Sequence, residues 1–124
     1  MGICCVSIYQ EQMLIIIRSP VDKVTLKKVA EDLEGYIKFV TDVERKIITA
    51  GGLRHFEGEQ LLLRDGSRQG NLWGGGLDLE TGEVDFDSMV NLRPNDNNSS
   101  REVLSQDLRK KIEEIVRYLL EQPK

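Results

Sequence analysis

Residues 105–120 carry the clearest helical pattern in the sequence. The apolar face of that predicted helix must be buried against another part of the chain. Apolar side chains recur there at helical spacing and form one stripe, made by Leu108, Ile112, Ile115, Val116, Leu119 and Leu120. Charged residues occupy the opposite face, and Ser105 stands where an N-cap hydroxyl accepts from first-turn amides. Because an amphipathic helix is marginal alone in water, the rest of the chain must supply an apolar layer for it.

A second helix and a strand are predicted near the start. Residues 13–18 form a short apolar run rich in isoleucine, which is typical of a buried strand. Asp22 is a good N-cap and Gly35 a good C-terminal stop, so we predict a helix over residues 23–34.

The middle of the chain leaves alternatives open. Residues 36–50 alternate as a strand does but also fit a helix, and their many β-branched and aromatic side chains favour strand. Residues 53–56 resemble a short strand. Residues 59–66 are either one helical turn ending at Gly66 or a strand entering an Asp-Gly hairpin, and we favour the turn.

A β-hairpin is predicted around Thr81-Gly82. Apolar and polar residues alternate over residues 84–93, and the same alternation precedes the turn over residues 77–80. The simplest register pairs Glu80 with Glu83. These elements predict an α+β two-layer sandwich: a mainly antiparallel sheet of about four to five strands, with two amphipathic helices on one face and a polar opposite face.

Composition excludes several classes of protein. The chain of 124 residues has 17 basic and 21 acidic residues and a net charge of −4, which disfavours nucleic acid as a partner. It holds no apolar run of about 20 residues, so no membrane association is expected. One histidine and two cysteines cannot build the usual zinc sites, and the lack of a disulfide framework favours a cytoplasmic location.

Residues 1–12 are predicted to be an extension of a single domain that covers residues 13–120, with residues 121–124 as a tail. Two explanations of the extension stay open. Met13 is the true start and the preceding residues are an upstream addition, or residues 3–8 form a strand at the sheet edge.

Four residues are candidates for catalysis. Asp42 and Glu44 would share one face of a strand, where two carboxylates do acid–base work or hold a metal ion. His55 is the only imidazole, and Arg93 would hold an anion. A plain charged surface and a structural histidine are the simpler interpretations of the same residues. Arg93 and Arg101, on either side of an Asn-rich loop, also suggest an anion site, although most surface arginines do not form one.

The hairpin suggests two further sites. Gly74 and Gly76 would leave bare backbone on the polar face, and a hollow there would be rimmed by Asp87, Met89, Asn91 and Arg93. The alternative is that these glycines form a bulge or a loop. Asp78, Asp85 and Asp87 crowd the hairpin tip and would suit Mg²⁺ or Ca²⁺, whereas the simpler view is a hydrated acidic tip with no cofactor.

Several stretches resemble a family of short bacterial proteins, common in cyanobacteria, whose activity is uncharacterised. The resemblance rests on residues 40–45, 50–52, 61–69, 72–74 and 91–94, on His55, and on the final helix. It implies no catalytic residue, but it implies that residues 1–12 are extra to the domain.

Two functions follow as expectations. The first is a binding or interaction module, homo-oligomeric, with an unknown protein or small-molecule partner. The alternative is a small hydrolase or lyase, metal-assisted or acid–base, that uses Asp42, Glu44, His55 and Arg93. The enzyme requires those four side chains to converge in one pocket, and the binding module does not.

Overall fold

A computed structural model describes residues 13–121, and a five-stranded antiparallel sheet forms its centre. The strands are β1 (Leu14–Ile17), β2 (Tyr36–Asp42), β3 (Ile47–Gly51), β4 (Leu72–Asp78) and β5 (Val84–Asp85), in the order β1-β3-β2-β4-β5. The helices are α1 (Lys23–Ala30), α2 (His55–Arg64) and α3 (Gln106–Leu120). The α+β prediction is confirmed, while the predicted extension at residues 1–12 and most of the predicted tail lie outside the described residues.

Most of residues 36–50 are strand, as the β-branched content favoured, but they form two strands joined by a turn rather than one strand. Strands β2 and β3 pair antiparallel, with Asp42 opposite Ile47. Asp42 Oδ1 accepts hydrogen bonds from Glu44 N at 3.0 Å and Arg45 N at 2.9 Å, which stabilises the turn between the strands.

Helices α1 and α3 cover one face of the sheet. Their apolar residues join Phe39, Ile48 and Leu77 in the main core, and most of the predicted α3 stripe is buried there. Both predicted caps are present, since Asp22 Oδ1 accepts from Thr25 N at 2.7 Å and Ser105 Oγ accepts from Leu108 N at 3.2 Å.

Helix α2 covers the other face, which the sequence had led us to expect as open and polar. Leu62 packs there against Val40, Ile47 and Leu72 in a second apolar cluster. A Cβ on Gly58 would lie 2.4 Å from Thr49 Oγ1, so glycine lets the helix approach β3 closely. The expected strand over residues 53–56 is wrong because α2 already begins at His55. The favoured helical ending is confirmed by Gly66, whose φ is +102°.

The β4–β5 hairpin has a different register from the simplest one. Leu77 pairs with Val84, so the strands are shifted by two residues and four residues, 79–82, form the turn. A shift of two keeps every side chain on its face, and Leu77 and Phe86 are buried as the alternation predicted.

Strand β5 ends at Asp85, although alternation predicted a strand as far as residue 93. The chain turns instead into two short 3-10 helices, Met89–Asn91 and Pro94–Asp96. Beyond β5, the Asn91 side chain takes the place of a strand: its Oδ1 accepts from Gly74 N at 2.8 Å and its Nδ2 donates to Gly74 O at 2.9 Å. A side-chain amide thus satisfies main-chain groups that a longer β5 would otherwise bond.

Candidate functional site

A cleft lies between the start of α2 and the segment that follows β5. Its volume is about 500 Å³, within the range of small-molecule sites. Its walls come mainly from residues 54–59 and residues 88–93, with Lys38, Gln69 and Arg101 completing the lining.

Positive charge is concentrated in this cleft. Lys38, Arg54, Arg93 and Arg101 line it together with one carboxylate, Glu59, while Asp96 and Asp87 pair with Arg93 and Arg101 from outside the lining. Lys38 Nζ donates at 2.8 Å to a main-chain oxygen, which carries no formal charge to neutralise it. The chain as a whole has a net charge of −4, so the cleft is a positively charged site on a negatively charged protein.

Arg101 forms a weak ion pair at the cleft. Its Nε lies 3.2 Å from Asp87 Oδ1, and the two side chains are 58% and 51% exposed. A pair this exposed contributes little to stability, so an incoming anion can replace the carboxylate at low cost.

Arg93, a predicted catalytic and ligand-binding residue, is largely buried beneath the cleft. Its guanidinium lies 3.9 Å from the centre of the Trp73 ring. It also donates to Gln69 O, and to Leu72 O at 2.7 Å. These contacts anchor the segment after β5 to β4, so Arg93 positions one wall of the cleft.

His55 begins α2, and its ring reaches β4. The distance from His55 Nε2 to Gly75 O is 2.7 Å, and because a carbonyl only accepts, Nε2 carries the hydrogen. Burial lowers the pKa of His55 below its usual value, and nearby Lys38 acts in the same direction, while the hydrogen bond to Gly75 O and the charges of Asp85 and Asp87 oppose them. The imidazole is therefore neutral at pH 7.

This lowered pKa predicts a loss of stability on acidification. The unfolded chain binds the His55 proton at a higher pH than the folded chain, so stability falls as pH drops through about 6.5. His55→Gln keeps an N–H donor for Gly75 O but does not titrate. Between about pH 7.5 and about pH 5.5, the unfolding temperature of the wild-type protein should therefore fall by more than that of His55→Gln. Equal losses in the two proteins would contradict a buried neutral imidazole.

The other residues of the predicted hollow have partners within the chain. A Cβ on Gly74 would lie 2.8 Å from Ser88 Cβ, and one on Gly76 would meet the Tyr36 ring, so side chains cover both glycines. Asn91 is buried and hydrogen-bonded to Gly74. Met89 and Arg93 line the cleft, so the site lies beside the glycines and not above them.

Asp42 and Glu44 lie at a different cavity, of about 210 Å³, lined also by Arg45 and Arg68. Asp42 is fully buried at the end of β2, and Glu44 Oε2 accepts from Asn71 Nδ2 at 2.9 Å. His55 and Arg93 line the basic cleft, whereas Asp42 and Glu44 do not. The four predicted catalytic residues are therefore divided between two places.

The three predicted metal ligands each have another partner. Tyr36 donates its hydroxyl to Asp85 Oδ2 at 2.5 Å, and Asp78 Oδ1 accepts from Glu80 N at 2.9 Å. Asp87 is paired with Arg101. Within residues 13–121, no group of three or more His, Cys, Asp or Glu side chains is arranged to hold a metal ion.

Sequence reasoning missed Lys38, Arg54 and Phe56 as parts of the site. They lie on β2, just before α2 and within α2, and no spacing in the sequence links them to the segment after β5. Arg93 and Arg101 were suggested together as an anion site, and both line the cleft.

The fold and the site define a small α+β domain with a basic cleft at one edge of an antiparallel sheet. The chain belongs to the family described as "Protein of unknown function (DUF5674)", whose model matches residues 15–119. The resemblance to an uncharacterised family is thereby confirmed. No curated protein and no solved structure matches the chain. Across the described range, no helix has the length and apolarity needed to cross a membrane.

Proposed function

We propose that this domain binds a small anionic molecule in the basic cleft. The observation that carries the proposal is the convergence of Lys38, Arg54, Arg93 and Arg101 on one cavity in a chain of net charge −4. These residues come from separate parts of the chain, and the fold brings them to one concave site. A cleft of one sign raises the local concentration of ligands of the opposite sign.

The start of α2 adds to the positive charge of the cleft. Arg54, His55 and Phe56, which begin the helix, all line the cleft. First-turn amides have no acceptor within their own helix, and they give this end a partial positive charge. Glu57 N already donates to Arg54 O at 3.2 Å, and Arg54 provides no side-chain oxygen for the amides of His55 and Phe56, so an anion in the cleft would meet those two amides and the cationic side chains.

The hydrolase or lyase alternative has less support. It needs Asp42 and Glu44 beside His55 and Arg93, and the two acids line another cavity. A binding module makes no such demand on them.

Replacing Arg54 by alanine should weaken anion binding by at least about tenfold, since a hydrogen bond to a charged group contributes about 1.5–3 kcal/mol. Isothermal titration calorimetry with inorganic phosphate would measure the affinity, which should also fall as salt is added. Lys110→Ala is the matched control, because it removes one exposed positive charge from α3, on the opposite face.

Two results would count against the proposal. One is the absence of phosphate binding by the wild-type protein at low salt. The other is an equal loss of affinity in the Arg54→Ala and Lys110→Ala variants, which would indicate a general charge effect.

The homo-oligomer and the cytoplasmic location stay predictions. Within the described residues β1 pairs only with β3, and its four residues, Leu14–Ile17, are all apolar. An apolar edge strand of this kind is where a second copy would add to the sheet, and light scattering would measure the mass in solution.

A further inference from the structure

We infer that the ligand of the cleft is a small aromatic anion, with a ring beside its phosphate or carboxylate group. The inference rests on the proposed function and deepens it, since it concerns the part of the ligand that the cationic side chains would not hold.

Exposed apolar side chains are concentrated at this cleft. Seven large apolar side chains are exposed in the described part of the chain, and three of them line the cleft. Phe56 is 60% exposed, Met89 61% and Leu92 41%. A single exposed apolar residue needs no explanation, but a group of them at the mouth of a cavity marks a contact surface.

Phe56 and Met89 stand on different walls of the cleft. Phe56 lies in the first turn of α2, two residues after Arg54. Met89 begins the 3-10 helix that follows β5. A flat ring between them would stack on the phenyl group and contact the thioether, and methionine adapts readily to aromatic partners.

The size of the cleft also exceeds what a simple anion needs. Its volume is about 500 Å³, whereas a water molecule takes up about 30 Å³ of liquid, and inorganic phosphate would occupy only a small part of it. The remaining space borders the apolar side chains. A ring attached to the anion would fill that space and cover them.

The test compares methyl phosphate with phenyl phosphate by calorimetry on the full chain at about pH 8, where both are dianions. The wild-type protein should bind phenyl phosphate at least about tenfold more tightly, because the ring buries apolar surface of the order of an apolar side chain. Phe56→Ala should lower the affinity for phenyl phosphate much more than the affinity for methyl phosphate, and so abolish most of this preference. Tyr118→Ala, which removes an exposed aromatic ring from α3, should preserve the preference.

The outcomes distinguish a failure of the aromatic ligand from a failure of anion binding itself. Equal affinities for the two phosphates in the wild-type protein would overturn the aromatic ligand while leaving anion binding intact. A preference that survives in Phe56→Ala would also overturn it. If neither phosphate binds, the proposed function fails and the inference fails with it. Phe56→Leu, measured beside Phe56→Ala, keeps apolar volume without a ring, and a folded Leu variant should show a preference smaller than that of the wild-type protein and larger than that of Phe56→Ala.

Discussion

Replacing Asn91 by alanine is expected to destabilise the domain by about 3–4 kcal/mol. Asn91 is fully buried, and besides Gly74 O its Nδ2 lies 2.9 Å from Phe86 O and 3.0 Å from Arg101 O, so its two hydrogens are shared among three main-chain acceptors. Truncation at Cβ leaves the Gly74 amide and several buried carbonyls without this partner. Each such group costs about 1–3 kcal/mol, and water cannot reach the site without opening the segment after β5.

Urea unfolding would measure this effect, with Asn95→Ala as the matched control. Asn95 lies in the same segment but is exposed, so its replacement should change stability by less than about 0.5 kcal/mol. Asn91→Ala should also weaken anion binding, because Met89 and Arg93 stand on the segment that Asn91 holds. A variant as stable as the control would show that the segment does not depend on this side chain.

Replacing Gly75 by alanine is expected to destabilise the domain by about 3 kcal/mol. A Cβ there would lie 2.2 Å from Asp85 O and 2.7 Å from Phe39 Cζ. Neither neighbour can move cheaply, since one is main chain of β5 and the other belongs to a ring that is fully buried in the core. The strands β4 and β5 must separate, and Gly75 O then moves away from His55.

Gly70→Ala is the control for this substitution, because a Cβ at Gly70 meets nothing within 4 Å. It should leave the unfolding midpoint unchanged or raise it slightly, since alanine reduces the conformational freedom of the unfolded chain. If both alanine variants unfold at the same denaturant concentration, the close packing of β5 on β4 does not limit stability.

Local signals in the sequence predicted much of the fold. Asp22 and Ser105 cap helices because a short side-chain oxygen reaches first-turn amides within its own segment. The alternation around the β4–β5 hairpin placed Leu77 and Phe86 in the core. These predictions hold because the residues that decide them are near neighbours in the chain.

Which face of the sheet each helix covers, and which residues pair between strands, could be learned only from the tertiary structure. The residues of α2 give no clear stripe in the sequence. The reason for a glycine at position 58 is visible only in the tertiary structure, where the missing Cβ lets the helix lie close to Thr49. The hairpin register differs by two residues from the simplest one, a change that hydrophobic alternation cannot detect because it has the same period.

The sequence by itself therefore determined an α+β domain with an apolar sheet, a capped C-terminal helix and too few histidines and cysteines for the usual zinc sites. Only the tertiary structure decided that Asn91 completes the edge of β4, and that Lys38, Arg54, Arg93 and Arg101 share one cleft. The physical reason is that periodicity records which side of an element is buried. It carries no information on which distant groups meet, and hydrogen bonds and charges act only between groups that the fold has brought close.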